Sequence, residues 1–152
     1  MIVVAVGVLC ALYVTWLAAR LSRLNARVKA TASALSVAAN RRACVAIELG
    51  EDLKEESVRA AAHAALVASD DRQIAAENDL TRALRKARGH TIDPDAWGQL
   101  EAVNRRLAVA RQMHNDAVRD TLALRGARTP RGLRLASHLP RPQYFDIDTD
   151  LS

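Results

Sequence analysis

The sequence predicts an all-α chain: a single N-terminal transmembrane helix that continues into a long antiparallel three-helix bundle, with a short fourth helix behind it. Three observations lead there. Residues 1–19 carry no charged side chain, and an apolar run of roughly 18 or more residues is long enough to cross a bilayer as a helix. Aromatic residues make up 3% of the chain, so any core must be built from Ala, Leu and Val. Such a core suits close-packed helices, since strands favour β-branched and aromatic side chains. Gly and Pro are few, and most of them fall at Gly50, Gly89, Pro94 and the tail, which leaves long segments with few helix breakers.

The first element is the anchor, residues 1–19. Ile2, Val3, Val4, Val6, Val8, Leu9, Leu12, Val14 and Leu17 make it apolar, and Tyr13 and Trp16 lie toward its charged end. Aromatic rings favour the headgroup boundary. The next six charges, Arg20, Arg23, Arg27, Lys29, Arg41 and Arg42, are all positive and precede the first acid, Glu48. Positive flanks stay in the cytoplasm, so the expected orientation is N-terminus outside and body inside at a plasma membrane. A secretory signal has a basic start and a small-residue cleavage site. This segment has no charged side chain before the apolar run, and Ala18-Ala19-Arg20 is a poor site, so no cleavage is expected.

The body, residues 20–125, is read as three helices. Leu17, Leu21, Leu24, Val28, Thr31, Leu35, Ala38, Arg42, Val45 and Leu49 alternate at spacings of four and three, one continuous helical seam. It should end at Gly50, a natural C-terminal stop. Arg42 on that seam is expected to lay its stem along the core and keep its head at the edge. Glu51–Glu56 forms an acidic turn. A second helix runs from about Ser57 to Arg88, and Ser69-Asp70-Asp71 kinks or divides it. After a turn at Gly89-His90-Thr91, Asp93-Pro94 supplies an acidic N-cap and a proline in the first turn. The third helix then runs to about Leu124 on a stripe of Leu100, Val103, Leu107, Ala110, His114, Ala117, Thr121 and Leu124. Residues 130–138 are the short fourth helix of a tail, residues 126–152. In that tail Leu133, Leu135 and Leu139 can pack on the bundle, Tyr144 and Phe145 act as a plug, and Asp146, Asp148 and Asp150 form a solvated end.

Charge narrows the partners. The chain holds 22 basic and 17 acidic residues, and the excess sits beside the anchor and in the tail. Next to an anchor, anionic headgroups are the nearer target. In an antiparallel bundle Arg82, Arg85, Lys86 and Arg88 return to the membrane end, where Arg20, Arg23, Arg27 and Lys29 already lie. Arg20, Arg23, Arg27, Lys29, Arg85, Lys86 and Arg88 are therefore the expected lipid contacts. The basic residues lack the interleaved aromatic platforms that bind single strands, so no specific nucleic acid is expected. Cys10 and Cys44 lie too far apart to be bridged and are expected as buried thiols. The predominance of Arg over Lys and the abundance of Ala suit a GC-rich bacterial genome.

Three stretches carry a resemblance: AENDLTRAL from Ala76 to Leu84, ARQMHNDAVRD from Ala110 to Asp120, and Tyr144-Phe145-Asp146. Their order and spacing, together with the anchor, resemble the LemA family of bacterial membrane proteins. Met113-His114 stands where that family usually has an aromatic pair, and Asn104 where it has an acid, as in a divergent branch. The resemblance implies an anchored helical bundle and no particular activity. The polar residues to weigh are Glu77, Asn78, Arg111, His114, Asn115, Asp116 and Arg119. The expected role is an inter-helix network that fixes register, with Arg111 or Arg119 paired to Glu77, or else a protein-binding patch. An enzymatic or metal-binding alternative would rest on Glu77 and His114. No HExxH, CxxC, Walker loop or GxSxG motif occurs, so neither cofactor nor metal is expected. The partners expected are the bilayer, a second protein, and further copies of this chain.

Overall fold

The computed structural model describes residues 1–89, 93–126 and 141–151, and the backbone alone of residues 70 and 71. Among them there are four helices and no strand: α1 (Ile2–Asp52), α2 (Glu56–Val67), α3 (Asp70–Ala87) and α4 (Pro94–Gly126). The expected fourth helix at 130–138, with Leu133, Leu135 and Leu139, lies outside the described residues. The chain divides into two compact units, Met1–Thr31 with His114–Tyr144, and Ala32–Met113 with Phe145–Ser152.

The first seam behaves as its spacing demands. Each of its ten positions on α1 is buried or half-buried. In the first unit Val28 packs with Ala117 and Val118, and Leu122 lies against them. Arg27 and Asp120 pair across 3.5 Å at the surface. Toward the N-terminus the same helix is bare: Ile2, Val3, Val4, Val6, Val8, Leu9 and Leu12 are all exposed. This end of α1 is long and apolar enough to cross a membrane.

In the second unit, Val45, Ala46 and Leu49 of α1 join Val58, Ala62 and Ala65 of α2. Leu80 and Leu84 of α3, Leu100 and Val103 of α4, and Leu151 complete that core. A second cluster holds Leu35, Ala39, Leu107 and Ile147, with Ile74 and Phe145 against it. Each buried Leu, Ile or Val side chain among them contributes about 1.5–3 kcal/mol on burial.

Two local expectations are corrected and one is decided between its alternatives. α1 does not stop at Gly50 but runs through it to Asp52. The stop is Lys54, which takes φ 55°, with Glu55 N–H donating to Gly50 O and Lys54 N–H to Glu51 O. That pair of bonds is a Schellman closure. Gly50 is required for a different reason: a Cβ there would sit 2.8 Å from Arg59 Cγ and 3.2 Å from Arg59 N, so it permits the first turn of α2 to cross close by. Of the two alternatives at Ser69-Asp70-Asp71, the second helix is divided and not kinked, because Ala68 and Ser69 are both extended, with ψ 132° and 165°. Cys10 and Cys44 are exposed, not buried. Arg42, Ala43, Val45 and Ala46 take the inward face and turn Cys44 outward.

The start of α4 follows its sequence. Asp93 Oδ1 accepts from the Asp95 N–H, and Asp93 O accepts from the Trp97 N–H. Trp97 donates through Nε1 to Glu101 and lies under the Arg88 guanidinium.

Candidate functional site

The second unit carries a charge in its core. Arg42 is fully buried and Glu77 is 1% exposed. Arg42 Nη1 donates to Glu77 Oε2 at 3.1 Å and Nη2 to Thr81 Oγ1 at 2.6 Å. The seam places Arg42 inward, one heptad after Leu35. On α3, Glu77 and Thr81 are four residues apart and so share a face. Burial pushes the Glu77 carboxyl above its ordinary value and pulls Arg42 below its own, while each charge favours the other. An isolated ion of either sign would be costly here, and the pairing is what makes the site tolerable.

This corrects two expectations. Arg42 does not keep its head at the edge, because a partner waits in the core. Neither Arg111 nor Arg119 pairs with Glu77. Arg111 Nη1 donates to Ile147 O at 2.6 Å, and Arg119 pairs with Asp116 one turn away on its own helix at 2.7 Å.

The pair lies under the C-terminal segment, and here the structure holds its most developed recognition geometry. Residues 145–151 have neither helix nor strand. Ile147 and Leu151 are buried, Phe145 and Thr149 half-buried, and Asp146, Asp148 and Asp150 exposed. A two-residue alternation is the signature of an extended backbone. The helices read that backbone with side chains. Asn104 Nδ2 donates to Thr149 O at 2.6 Å, Arg88 Nη1 to Leu151 O at 2.9 Å, and Arg111 to Ile147 O. Asn78 Oδ1 accepts from the Asp148 N–H at 2.8 Å. The Thr81 hydroxyl, which accepts from Arg42, lies 2.8 Å from Asp148 O and 3.0 Å from Glu77 O, two acceptors for its one proton. Arg85 reads a tail side chain as well, pairing with Asp148 Oδ2 at 2.7 Å. The Asp150 N–H and the Arg85 guanidinium hold the Asp148 carboxyl below the usual carboxylate range.

The tail expectation is therefore revised. The plug is Ile147 and Leu151, with Phe145 beside them, while Tyr144 is half exposed at 49%. The three acids do face solvent, but they alternate with the anchoring residues and are not a separate end. Of the seven polar residues singled out, Glu77, Asn78 and Arg111 meet at this groove. In the first unit His114 is 7% exposed. Its Nε2 lies 3.2 Å from Gln143 O, and its Nδ1 lies 3.3 Å from Thr31 Oγ1. A carbonyl only accepts, so Nε2 carries a proton. Asn115 and Asp116 are half-buried on the same helix. Of the expected lipid contacts, Arg20, Arg23, Arg27, Lys29, Lys86 and Arg88 are exposed, while Arg85 is half-buried and both it and Arg88 bind the tail. Within the second unit Ile74 clusters with Leu35 and Ala39, Glu77 meets Arg42, and Leu84 clusters with Leu49. So α3 advances along α1, and the expected antiparallel return of Arg85, Lys86 and Arg88 is corrected.

Thr81, Asn104 and Ile147 were missed as members of the site. The signal for the tail was present: Phe-Asp-Ile-Asp-Thr-Asp-Leu alternates at period two, and a strand-like pattern in an all-helical chain asks for a groove. Among the described residues no group of three or more His, Cys, Asp or Glu side chains is placed to hold a metal. No protein-family model matches the chain, and neither a curated protein nor a solved structure matches it.

Proposed function

We propose that this chain is a bacterial, membrane-tethered interaction protein, a divergent member of the LemA type, whose helical body recruits or organises a second protein at the inner leaflet. One observation carries the tether. From Ile2 to Leu12 the large side chains of α1 are exposed, several of them by more than half, although the helix is almost wholly apolar there. Exposed apolar area of that extent marks a surface meant for lipid or protein. A bilayer also accounts for the Tyr13–Trp16 ring stack and for Arg20, whose guanidinium lies 5.4 Å from the Trp16 ring centre, the expected make-up of a headgroup boundary. Arg23 and Lys29 then face anionic headgroups, each worth about 1 kcal/mol. The body stays cytoplasmic under the positive-inside rule.

Alkaline carbonate extraction tests the tether. The chain should remain with the membrane pellet. Val6→Asp with Val8→Asp should release it, since each acid at the centre of a span costs about 2.5–3.5 kcal/mol. A wild-type chain extracted by carbonate would refute the tether.

A further inference from the structure

The groove that holds residues 145–151 has more hydrogen-bonding capacity than its occupant uses. Five of its side chains, Asn78, Thr81, Arg88, Asn104 and Arg111, hydrogen-bond to main-chain atoms of the tail. Main-chain reading recognises an extended conformation and tolerates many sequences. Selectivity is left to the two apolar seats, filled by Ile147 and Leu151, and to Arg85 opposite Asp148. Two buried groups in this wall have no hydrogen-bond partner among the described residues: Asn104 Oδ1, on a side chain 8% exposed, and Arg85 Nε. Asn104 uses its amide NH2 on the tail and leaves its carbonyl oxygen idle, where a neighbouring main-chain N–H would complete a paired contact. Arg85 uses one arm of its fork on Asp148 and leaves the other idle, where a carboxylate reaching further would take both. Buried polar groups left unpaired are costly, so the tail is a serviceable occupant and not the best one.

We propose that this groove is a recognition site for an extended segment of a partner protein, with apolar residues at the places of Ile147 and Leu151 and an acid at the place of Asp148, and that the chain's own tail is its built-in competitor. The proposal takes the interaction reading one step further, because it names what is recognised. It concerns the second unit alone, so a failure of the tether leaves it standing and its own failure leaves the tether standing. Between Gly126 and Phe145 the covalent connection runs through eighteen residues. It keeps the tail at high effective concentration, so a partner sees only the fraction of grooves that are open.

The test uses full-length chain in detergent and a fluorescent peptide with the sequence of residues 143–152. Wild type should bind it weakly. Full-length chain carrying Ile147→Asp, whose own tail no longer seats, should bind about tenfold more tightly or better. The same peptide with Asn in place of Asp148 should lose about tenfold. Circular dichroism checks that the variant keeps its helices. A second arm needs no variant: excess peptide added to wild type should speed hydrogen exchange at the Asp148 amide, which Asn78 Oδ1 holds, and leave the α3 amides protected. No binding to a folded Ile147→Asp chain, or no change at the Asp148 amide in the second arm, would overturn the groove. Equal binding of the Asn peptide would overturn the acid requirement.

Discussion

Arg42 shows where a single residue escapes a pattern. Its position was legible, because the seam puts it inward, but periodicity says nothing of what faces it. The partner, Glu77, is 35 residues away, and a long-range pairing leaves no trace in local spacing. The pair makes a sharp prediction. Glu77→Leu strands a buried cation and should cost about 3–5 kcal/mol, while Arg42→Met with Glu77→Leu should recover most of it, since a buried pair is often replaceable by apolar residues. Urea unfolding of the three chains measures this. Lys54 offers the opposite case. It adopts the left-handed conformation at the end of α1, which favours glycine. Lys54→Gly should stabilise by about 1 kcal/mol, read as a raised urea midpoint.

At the scale of elements, the helices were largely visible in advance. The seam of α1, the stripe of α4 and the Asp93-Pro94 start all appear where spacing and capping place them, because burial of one face dictates both. The end of α1 was misread for a physical reason: Gly50 serves a close approach by Arg59, and proximity between elements is invisible in a linear pattern. The tail differs from its expectation because its docking is encoded in the two-residue alternation of residues 145–151 and in no single bulky side chain. Its docking should depend on pH in one direction. Asp148 titrates below its ordinary value, so its contribution is intact above the usual carboxylate range and is lost as the pH falls through the lowered value. Docking, followed by the methyl resonances of Leu151, should persist at neutral pH and weaken only below about pH 4. Asp148→Asn should remove that dependence. Ile147→Ala should free the segment without unfolding the helices, seen as faster exchange at residues 147–151.

On the scale of the whole molecule, composition foretold an all-α chain with an apolar leading helix, since an Ala- and Leu-rich, aromatic-poor sequence has little else to build. The two native thiols are exposed at places that separate the possible topologies, Cys10 on the apolar stretch and Cys44 on the body. The decisive measurement is labelling with a membrane-impermeant maleimide, first on intact cells and then on permeabilised ones. An embedded α1 with a cytoplasmic body predicts no labelling in intact cells, and rapid reaction at Cys44 alone once they are opened, with Cys10 reacting only in denaturing detergent. Labelling of Cys44 in intact cells, or of Cys10 in undissolved membranes, would contradict it.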